Sequence, residues 1–203
     1  DQNNVVHLAF EQRDPYMTRY FQVSGGVITE KMQPGQTYHS TFLVVDGANT
    51  LHYIGTDYWN QRDTKHYVWD PAGNAGQGAW SAKARMNVKQ FDISCDTTEP
   101  LHRGHAVAKG IHIHLVGQMR TRYCSSGRDT WAVWYGRYDI NADTWTGVCP
   151  PPSEYNNVDH QDRPCVIRKP PSYDPRKHDQ DPMVTVDNDD VVHVVWLHEA
   201  DPQ

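Results

Sequence analysis

Short stretches in which apolar and polar residues alternate run through most of the chain. In residues 191–196 and 131–135, the apolar places are held by β-branched and aromatic residues. Successive side chains of a strand point to opposite faces of a sheet, so this period of two predicts strands. The 3.6-residue period of an amphipathic helix is not evident in any longer segment. We therefore predict an all-β fold built from antiparallel hairpins.

A weak internal repeat organises these strands. Four of them carry a histidine directly after an apolar residue, and turn-forming residues precede three of the four, which is typical of a β-hairpin. Two Trp pairs, Trp69 with Trp80 and Trp134 with Trp145, predict further hairpins with a Trp at matching places on each arm. Together the repeats predict a propeller-like array of small antiparallel sheets. The four repeat histidines are His7, His52, His112 and His193.

Prolines interrupt the pattern in residues 149–182, which hold eight of the thirteen in the chain. Proline removes a backbone donor from a sheet, so this stretch predicts a long irregular excursion or a linker between domains. About twenty residues follow it, too few for a domain of their own. We therefore predict one β-rich domain over residues 1–203.

Composition excludes several classes of function. With 19 basic against 25 acidic residues, the net charge is −6, which disfavours a nucleic-acid partner. No apolar run is long enough for a membrane span. The chain begins at Asp1 without a targeting stretch, as an exported protein does once its signal peptide is removed, and a chain trimmed at both ends would look the same. With the cysteines described next, the expected location is the cell surface, the periplasm or the exterior of the cell.

Four cysteines are spaced widely, without a C-x-x-C pair, which favours two disulfides in an oxidising compartment. Three connectivities exist. We prefer Cys95–Cys124 with Cys149–Cys165 because these pairs close the shorter loops.

Twelve histidines make metal binding the main candidate chemistry. We interpret the four repeat histidines as structural, with rings that tie a strand to a turn; a pseudo-symmetric histidine ring around one metal is the alternative. His66 and His114 depart from the repeat and are the candidate ligands. A buried imidazole needs either a hydrogen bond or a metal. With the thiols in disulfides and no H-E-x-x-H motif, the metals that remain are copper, zinc and nickel, and two imidazoles near aromatic walls suit Cu(I) best.

An acidic, Trp- and His-rich β chain of this size that begins with Asp resembles the copper-repressible surface copper-binding proteins of methane-oxidising bacteria, of the MopE and CorA type. The resemblance is one of overall character over the whole chain. It implies a non-enzymatic protein for copper acquisition or sequestration that is secreted or associated with the outer membrane at the cell surface. It also implies a mononuclear Cu(I) site of two histidines and a Trp oxidised to kynurenine, and other outer-surface proteins as partners. We assign that site to His66, His114 and Trp69. Trp196 and His198 are the alternative.

Two further hypotheses stay open. Asp187 and Asp189 lie in an acidic turn whose oxygens suit a calcium ion, with an ordinary Asn/Asp hairpin turn as the alternative. The turns after Asp70 and Asp139 faintly resemble the Asp-box turns of sialidases, so a propeller-type carbohydrate-binding module or a sialidase-like hydrolase fragment is the alternative function.

Overall fold

The computed structural model of the protein describes residues 1–13, 16–34, 39–56, 63–87, 96–122, 129–146, 165–168 and 179–198. The predicted all-β fold is confirmed: these residues form strands and one four-residue helical turn, α1 (Gly73–Gly76), and every strand pair is antiparallel. The strands are β1 (Val6–Arg13), β2 (Tyr16–Ser24), β3 (Val27–Lys31), β4 (His39–Val45), β5 (Leu51–Thr56), β6 (Asp63–Asp70), β7 (Ala79–Ala82), β8 (Met86–Asn87), β9 (Asp96–Lys109), β10 (His112–Arg122), β11 (Asp129–Asp139), β12 (Thr144–Thr146), β13 (Cys165–Arg168), β14 (Asp179–Val186) and β15 (Val192–His198).

The strands form four sheets that follow one another along the chain. Sheet 1 has the order β1-β2-β3, and sheet 2 has β4-β5-β6-β7 with β8 beside β6. Sheet 3 has β9-β10-β11-β12 with β13 beside β11, and sheet 4 is the hairpin β14-β15. Sheets 2 and 3 thus share a unit of four strands, whose positions we call a, b, c and d in chain order: β4 to β7 in sheet 2 and β9 to β12 in sheet 3. Within the described residues, β1, β2 and β3 of sheet 1 correspond to positions b, c and d, and β14 and β15 of sheet 4 correspond to positions a and b.

Consecutive sheets pack face to face, each pair around a core of its own. Alternation along the strands is the reason, because every second side chain of sheets 2 and 3 faces the preceding sheet and the others face the next. The core between sheets 1 and 2 contains Tyr20, Leu51 and Trp69. The core between sheets 3 and 4 contains Val116, Tyr135 and Val184. The largest core, between sheets 2 and 3, contains Val44, Ile54, Met86, Ile113, Leu115, Trp134, Tyr138 and Trp145.

The hairpin between positions a and b is held by one aspartate and one histidine. Oδ1 of Asp46 accepts hydrogen bonds from the backbone N–H groups of Ala48 and Thr50. Oδ2 of Asp46 lies 3.1 Å from Nε2 of His52. Asn49 takes a positive φ of 65° in this turn. The same arrangement recurs with Asp1 and His7 and with Asp187 and His193. The prediction that these histidine rings tie a strand to a turn is confirmed for three repeats.

The third repeat differs, and here the sequence alignment was wrong. The hairpin β9-β10 has a two-residue turn, because Lys109 pairs directly with His112. Five residues separate the paired Val45 and Leu51 in sheet 2. The pairing across strands b and c places His7 opposite Gln22, His52 opposite Val68 and His114 opposite Arg137. His114, not His112, is therefore the counterpart of His52.

The two Trp pairs are not equivalent. Trp69 lies opposite Trp80 in the β6-β7 hairpin, as predicted. In the β11-β12 hairpin the residue opposite Trp145 is Tyr138, so the prediction that Trp134 and Trp145 occupy matching places is wrong. Tyr138 is the counterpart of Trp69, since each directly precedes an aspartate that begins the turn.

Part of the sequence predictions lies outside the described residues. Strand β13 and the beginning of β14 fall within the proline-rich 149–182, and the rest of that stretch is outside. Cys95, Cys124 and Cys149 are also outside, and of Cys165 only the backbone is described, so the disulfides stay predictions. No helix among the described residues has the length and apolar character needed to cross a membrane.

Candidate functional site

In sheets 1 to 3, the histidine at the b position contacts a ring on the neighbouring c strand. Nδ1 of His7 lies 2.8 Å from the Tyr20 hydroxyl, and Nδ1 of His114 lies 2.7 Å from the Tyr135 hydroxyl. In sheet 2 the partner is a second imidazole, because Nδ1 of His52 lies 2.9 Å from Nε2 of His66. In all three sheets, the contacted ring belongs to the residue two places before the one directly opposite the histidine on strand c. His66 therefore departs from the repeat, which has tyrosine at this place in sheets 1 and 3.

His66 ends a buried polar chain that begins at Asp46 and passes through His52. Burial, and then the nearby His52, lower the pKa of His66 to about 3, so its ring is neutral at pH 7. Its Nδ1 is buried and has no hydrogen-bond partner among the described residues. The ring packs edge-on against Tyr138, with 4.4 Å between centroids, and against Trp145. His66 thus lies in the core between sheets 2 and 3.

The structure does not bring the three predicted copper ligands together. Trp69 is three residues from His66 on the same strand, so its side chain lies on the opposite face, where it packs against Tyr20 and Trp80. His114 lies on the face of sheet 3 directed at sheet 4, away from His66. The reason we gave for choosing His114 was also wrong, because it holds the same repeat position as His7 and His52.

A cavity of about 710 Å³ lies between sheets 3 and 4, next to His114. Most of its titratable lining residues belong to sheet 3, and most of its apolar ones belong to sheet 4. Its lining residues are Lys109, Gly110, Ile111, His112, His114, Tyr135, Arg137, Val186, Asp190, Val192 and Val194.

Two imidazoles share the wall of this cavity. His112 and His114 are two residues apart on β10 and point to one face, with ring centroids 6.1 Å apart. Burial, followed by the charges of His112 and Arg137, lowers the pKa of His114 to about 4, so this ring is neutral at pH 7. Lys109 occupies the place of the aspartate that binds the second ring nitrogen in sheets 1, 2 and 4. His114 is held through Nδ1, by Tyr135, and no carboxylate among the described residues binds its Nε2.

Charged groups complete the cavity. Nε of Arg137 is buried and lacks a hydrogen-bond partner among the described residues. Lys109 and Asp190 contribute one charge of each sign to the wall. Oδ2 of Asp139 lies 3.7 Å from Nε2 of His112, beyond hydrogen-bonding distance. The cavity wall thus combines imidazole, phenol and charged groups with the apolar side chains of Val192 and Val194.

The acidic turn before β15 has the structural role of the other Asp–His turns. Oδ1 of Asp187 accepts hydrogen bonds from the backbone N–H groups of Asp189 and Val191, and Oδ2 of Asp187 binds Nε2 of His193. The histidine and then these N–H groups lower the pKa of Asp187. Turn formation accounts for these contacts, and a calcium site at Asp187 and Asp189 stays a prediction.

The alternative site residues lie on the last strand. Trp196 is two residues from Val194, so it is on the face of β15 directed at sheet 3. The backbone of His198 pairs with Asp179, and its side chain is outside the description.

Sequence reasoning missed several residues that build the site. Tyr135, Arg137 and Lys109 carry no motif, and only the fold gathers them. His112 was set aside as structural, although its spacing from His114 already predicted that both rings share one face. The Asp–His turns did leave a signal, an aspartate six residues before the histidine in three of four repeats.

The part of the chain that the structure describes contains no group of three or more His, Cys, Asp or Glu side chains placed to hold a metal ion. Any metal in the cavity would have to accept two protein ligands or complete its shell with other donors. The chain matches no protein-family model, no curated protein and no solved structure.

Proposed function

We propose that the chain is a copper-binding protein that holds Cu(I) between His112 and His114. The observation that carries the proposal is the distance of 6.1 Å between the centroids of two rings in one cavity wall. A metal about 2 Å from one nitrogen of each imidazole sets the two ring centroids about 6 Å apart. The centroid spacing matches one ion shared by both rings, with a nitrogen of each ring turned towards it.

Protonation and coordination number favour copper in its reduced state. A metal ligand must be a neutral imidazole, and the lowered pKa of His114 keeps that ring neutral at pH 7. Tyr135 fixes the ring by binding its other nitrogen, as outer-shell groups commonly do for ligating histidines. Among the late metals that bind imidazole, Cu(I) tolerates two-fold coordination, whereas Zn²⁺ in proteins is almost always four-coordinate.

This site differs from the one the sequence predicted. His114 is retained, His112 replaces His66, and Trp69 lies elsewhere. An oxidised Trp as a further ligand has its best candidate in Trp196, which is directed at sheet 3. Binding alone, with no catalytic step, agrees with the proposed role in copper acquisition or sequestration at a cell surface.

The test is competition for Cu(I) between the full chain and a chromophoric Cu(I) chelator, under reducing conditions. We expect one Cu(I) per chain, and at least tenfold weaker binding in His112→Ala and in His114→Ala. His193→Ala is the matched control, because His193 is a half-exposed histidine on the equivalent strand of sheet 4. Circular dichroism checks that each variant is folded.

Full retention of Cu(I) by both cavity variants would refute the proposal. If His66→Gln loses copper while they keep it, the metal lies in the core between sheets 2 and 3. Intact mass of protein from its native source tests separately whether a Trp has become kynurenine.

A further inference from the structure

In sheets 2 and 3, the hairpin of strands c and d presents two aromatic rings to the preceding sheet. In sheet 2 the rings are Trp69 and Trp80, with centroids 5.1 Å apart. In sheet 3 they are Tyr138 and Trp145, 5.2 Å apart. In each hairpin the two residues lie directly opposite one another across the strands. This cross-strand aromatic pair is thus a repeated packing element.

Each pair packs on one ring, at a constant place on the c strand of the preceding sheet. Trp69 and Trp80 lie 5.3 and 5.1 Å from Tyr20. Tyr138 and Trp145 lie 4.4 and 5.7 Å from His66, which holds the same place in sheet 2. The ring at this place in sheet 3 is Tyr135. The repeat therefore predicts that Tyr135 also receives an aromatic pair.

Tyr135 instead borders the cavity. It packs beside His114 on its own sheet, and the cavity continues from it to Val192 and Val194 on β15. Within the described residues, sheet 4 provides strands a and b, whereas the aromatic pairs of sheets 2 and 3 come from strands c and d. The empty volume thus lies where a c-d hairpin of sheet 4 would project its two rings.

Within the part of the chain that the structure describes, no strand pairs with the second edge of β15. Among the described residues it pairs only with β14, whereas the b strands β5 and β10 have a partner on both sides. On the face of β15 away from sheet 3, Val195 and Leu197 are 63% and 65% exposed. His193 binds Asp187 through Nε2, but its ring is half exposed, whereas the rings of His7 and His52 are nearly buried beside their c-strand partners. Open edges and apolar strands of this kind bind added strands.

We propose that the β15 edge and the cavity beside Tyr135 form a docking site for an antiparallel β-hairpin that carries a cross-strand aromatic pair. One arm of the hairpin extends sheet 4 by pairing with β15. The two rings enter the cavity and pack on Tyr135, as Tyr138 and Trp145 pack on His66. The unpaired Nε of Arg137 lies in the same wall and can donate to a carbonyl oxygen of the incoming chain.

The probe is a fluorescently labelled, disulfide-cyclised peptide that copies residues 134–146, the β11-β12 hairpin. The matched control is the same peptide with Ser in place of the residues copied from Tyr138 and Trp145. Anisotropy titration against the full chain, with a metal chelator present, should show saturable binding of the aromatic peptide. We expect the Ser peptide to bind at least tenfold more weakly, and the chain variant Val192→Trp, which fills the cavity, to lose the aromatic peptide.

A second measurement does not depend on a free peptide being folded. The same hairpin is joined to Gln203 through a flexible linker, and the thermal midpoint is compared between the aromatic and Ser versions. We expect the midpoint to rise by about 2–4 °C or more with the aromatic pair only, since about 1 kcal/mol has that effect in a chain of this size.

Equal behaviour of the aromatic and Ser versions in both measurements would overturn the proposal. It would also be overturned if the chain alone forms a dimer that Val192→Trp dissociates, because the occupant would then be a second copy. Both measurements are made without copper, so their failure says nothing about the Cu(I) site, and loss of Cu(I) binding leaves this proposal intact.

Discussion

Replacing His66 by tyrosine should remove much of the acid sensitivity of the fold. His66 is 1% exposed, and its pKa falls from 6.5 in an unfolded chain to about 3 in the folded one. Between these two pH values the unfolded chain binds a proton that the folded chain does not. Stability contributed by the neutral ring is therefore fully present above pH 6.5 and is lost as the pH falls towards 3.

The size of the effect follows from the two pKa values. Linkage gives a loss of about 3 kcal/mol in the free energy of unfolding between pH 7.5 and pH 4.5 from this one group. Tyrosine is the residue found at the same place in sheets 1 and 3, where it binds the histidine of strand b. His66→Tyr should therefore keep a partner for His52 while removing the titration.

The assay is urea unfolding of the wild type and His66→Tyr at several pH values from 7.5 to 4.5. The wild type should lose more stability on acidification than the variant, by about 2–3 kcal/mol. Ile54→Val is the control, because Ile54 lies opposite His66 and is fully buried. It should cost about 0.5–1.5 kcal/mol at every pH. Equal pH dependence in wild type and His66→Tyr would refute the claim that His66 is buried in its neutral form.

Three other predictions follow from the turns, the packing and the cysteines. Gly78→Ala should destabilise by more than about 2 kcal/mol in urea unfolding, because Gly78 has a φ of +91° and an added Cβ would lie 1.9 Å from the Trp69 ring. Asp46→Ala should lower the free energy of unfolding by about 2–4 kcal/mol, and clearly more than Asp187→Ala does, because Asp46 binds a buried histidine and Asp187 binds a half-exposed one. Thermal melting of the two variants measures this difference. Thiol labelling in denaturant without reductant should modify none of the four cysteines if both disulfides are formed, and labelled thiols would contradict the pairing.

Fold class was readable from the chain because alternation and turn residues are local signals. Strand register was not. His112 follows an apolar residue, as His7 and His52 do, yet its two-residue turn is shorter than theirs and moves it out of line with them. Because a strand has a period of two, this error of two residues leaves His112 and His114 on the same face, but it assigns each of them the wrong neighbours on strand β11.

The candidate site was harder to predict for the same reason. Its members come from β10, β11 and the β14-β15 hairpin, and only the packing of sheet 4 on sheet 3 gathers them. His114 was identified, but from a mistaken alignment, and Trp69 was joined to it although the two lie on different sheets. Spacing along the chain carries no information on which sheet faces are in contact.

The stacking of the sheets has a direction, and this restricts assembly. The b-strand histidines of sheets 1 to 3 face the following sheet, while the exposed Val6, Leu8 and Phe10 lie on the opposite face of β1. The outer faces of sheets 1 and 4 are therefore different surfaces. A contact between these two faces of two copies is heterologous, so it has no two-fold axis and leaves one face of each kind open. Copies joined in this way would form a ring or a filament, never a closed symmetric dimer.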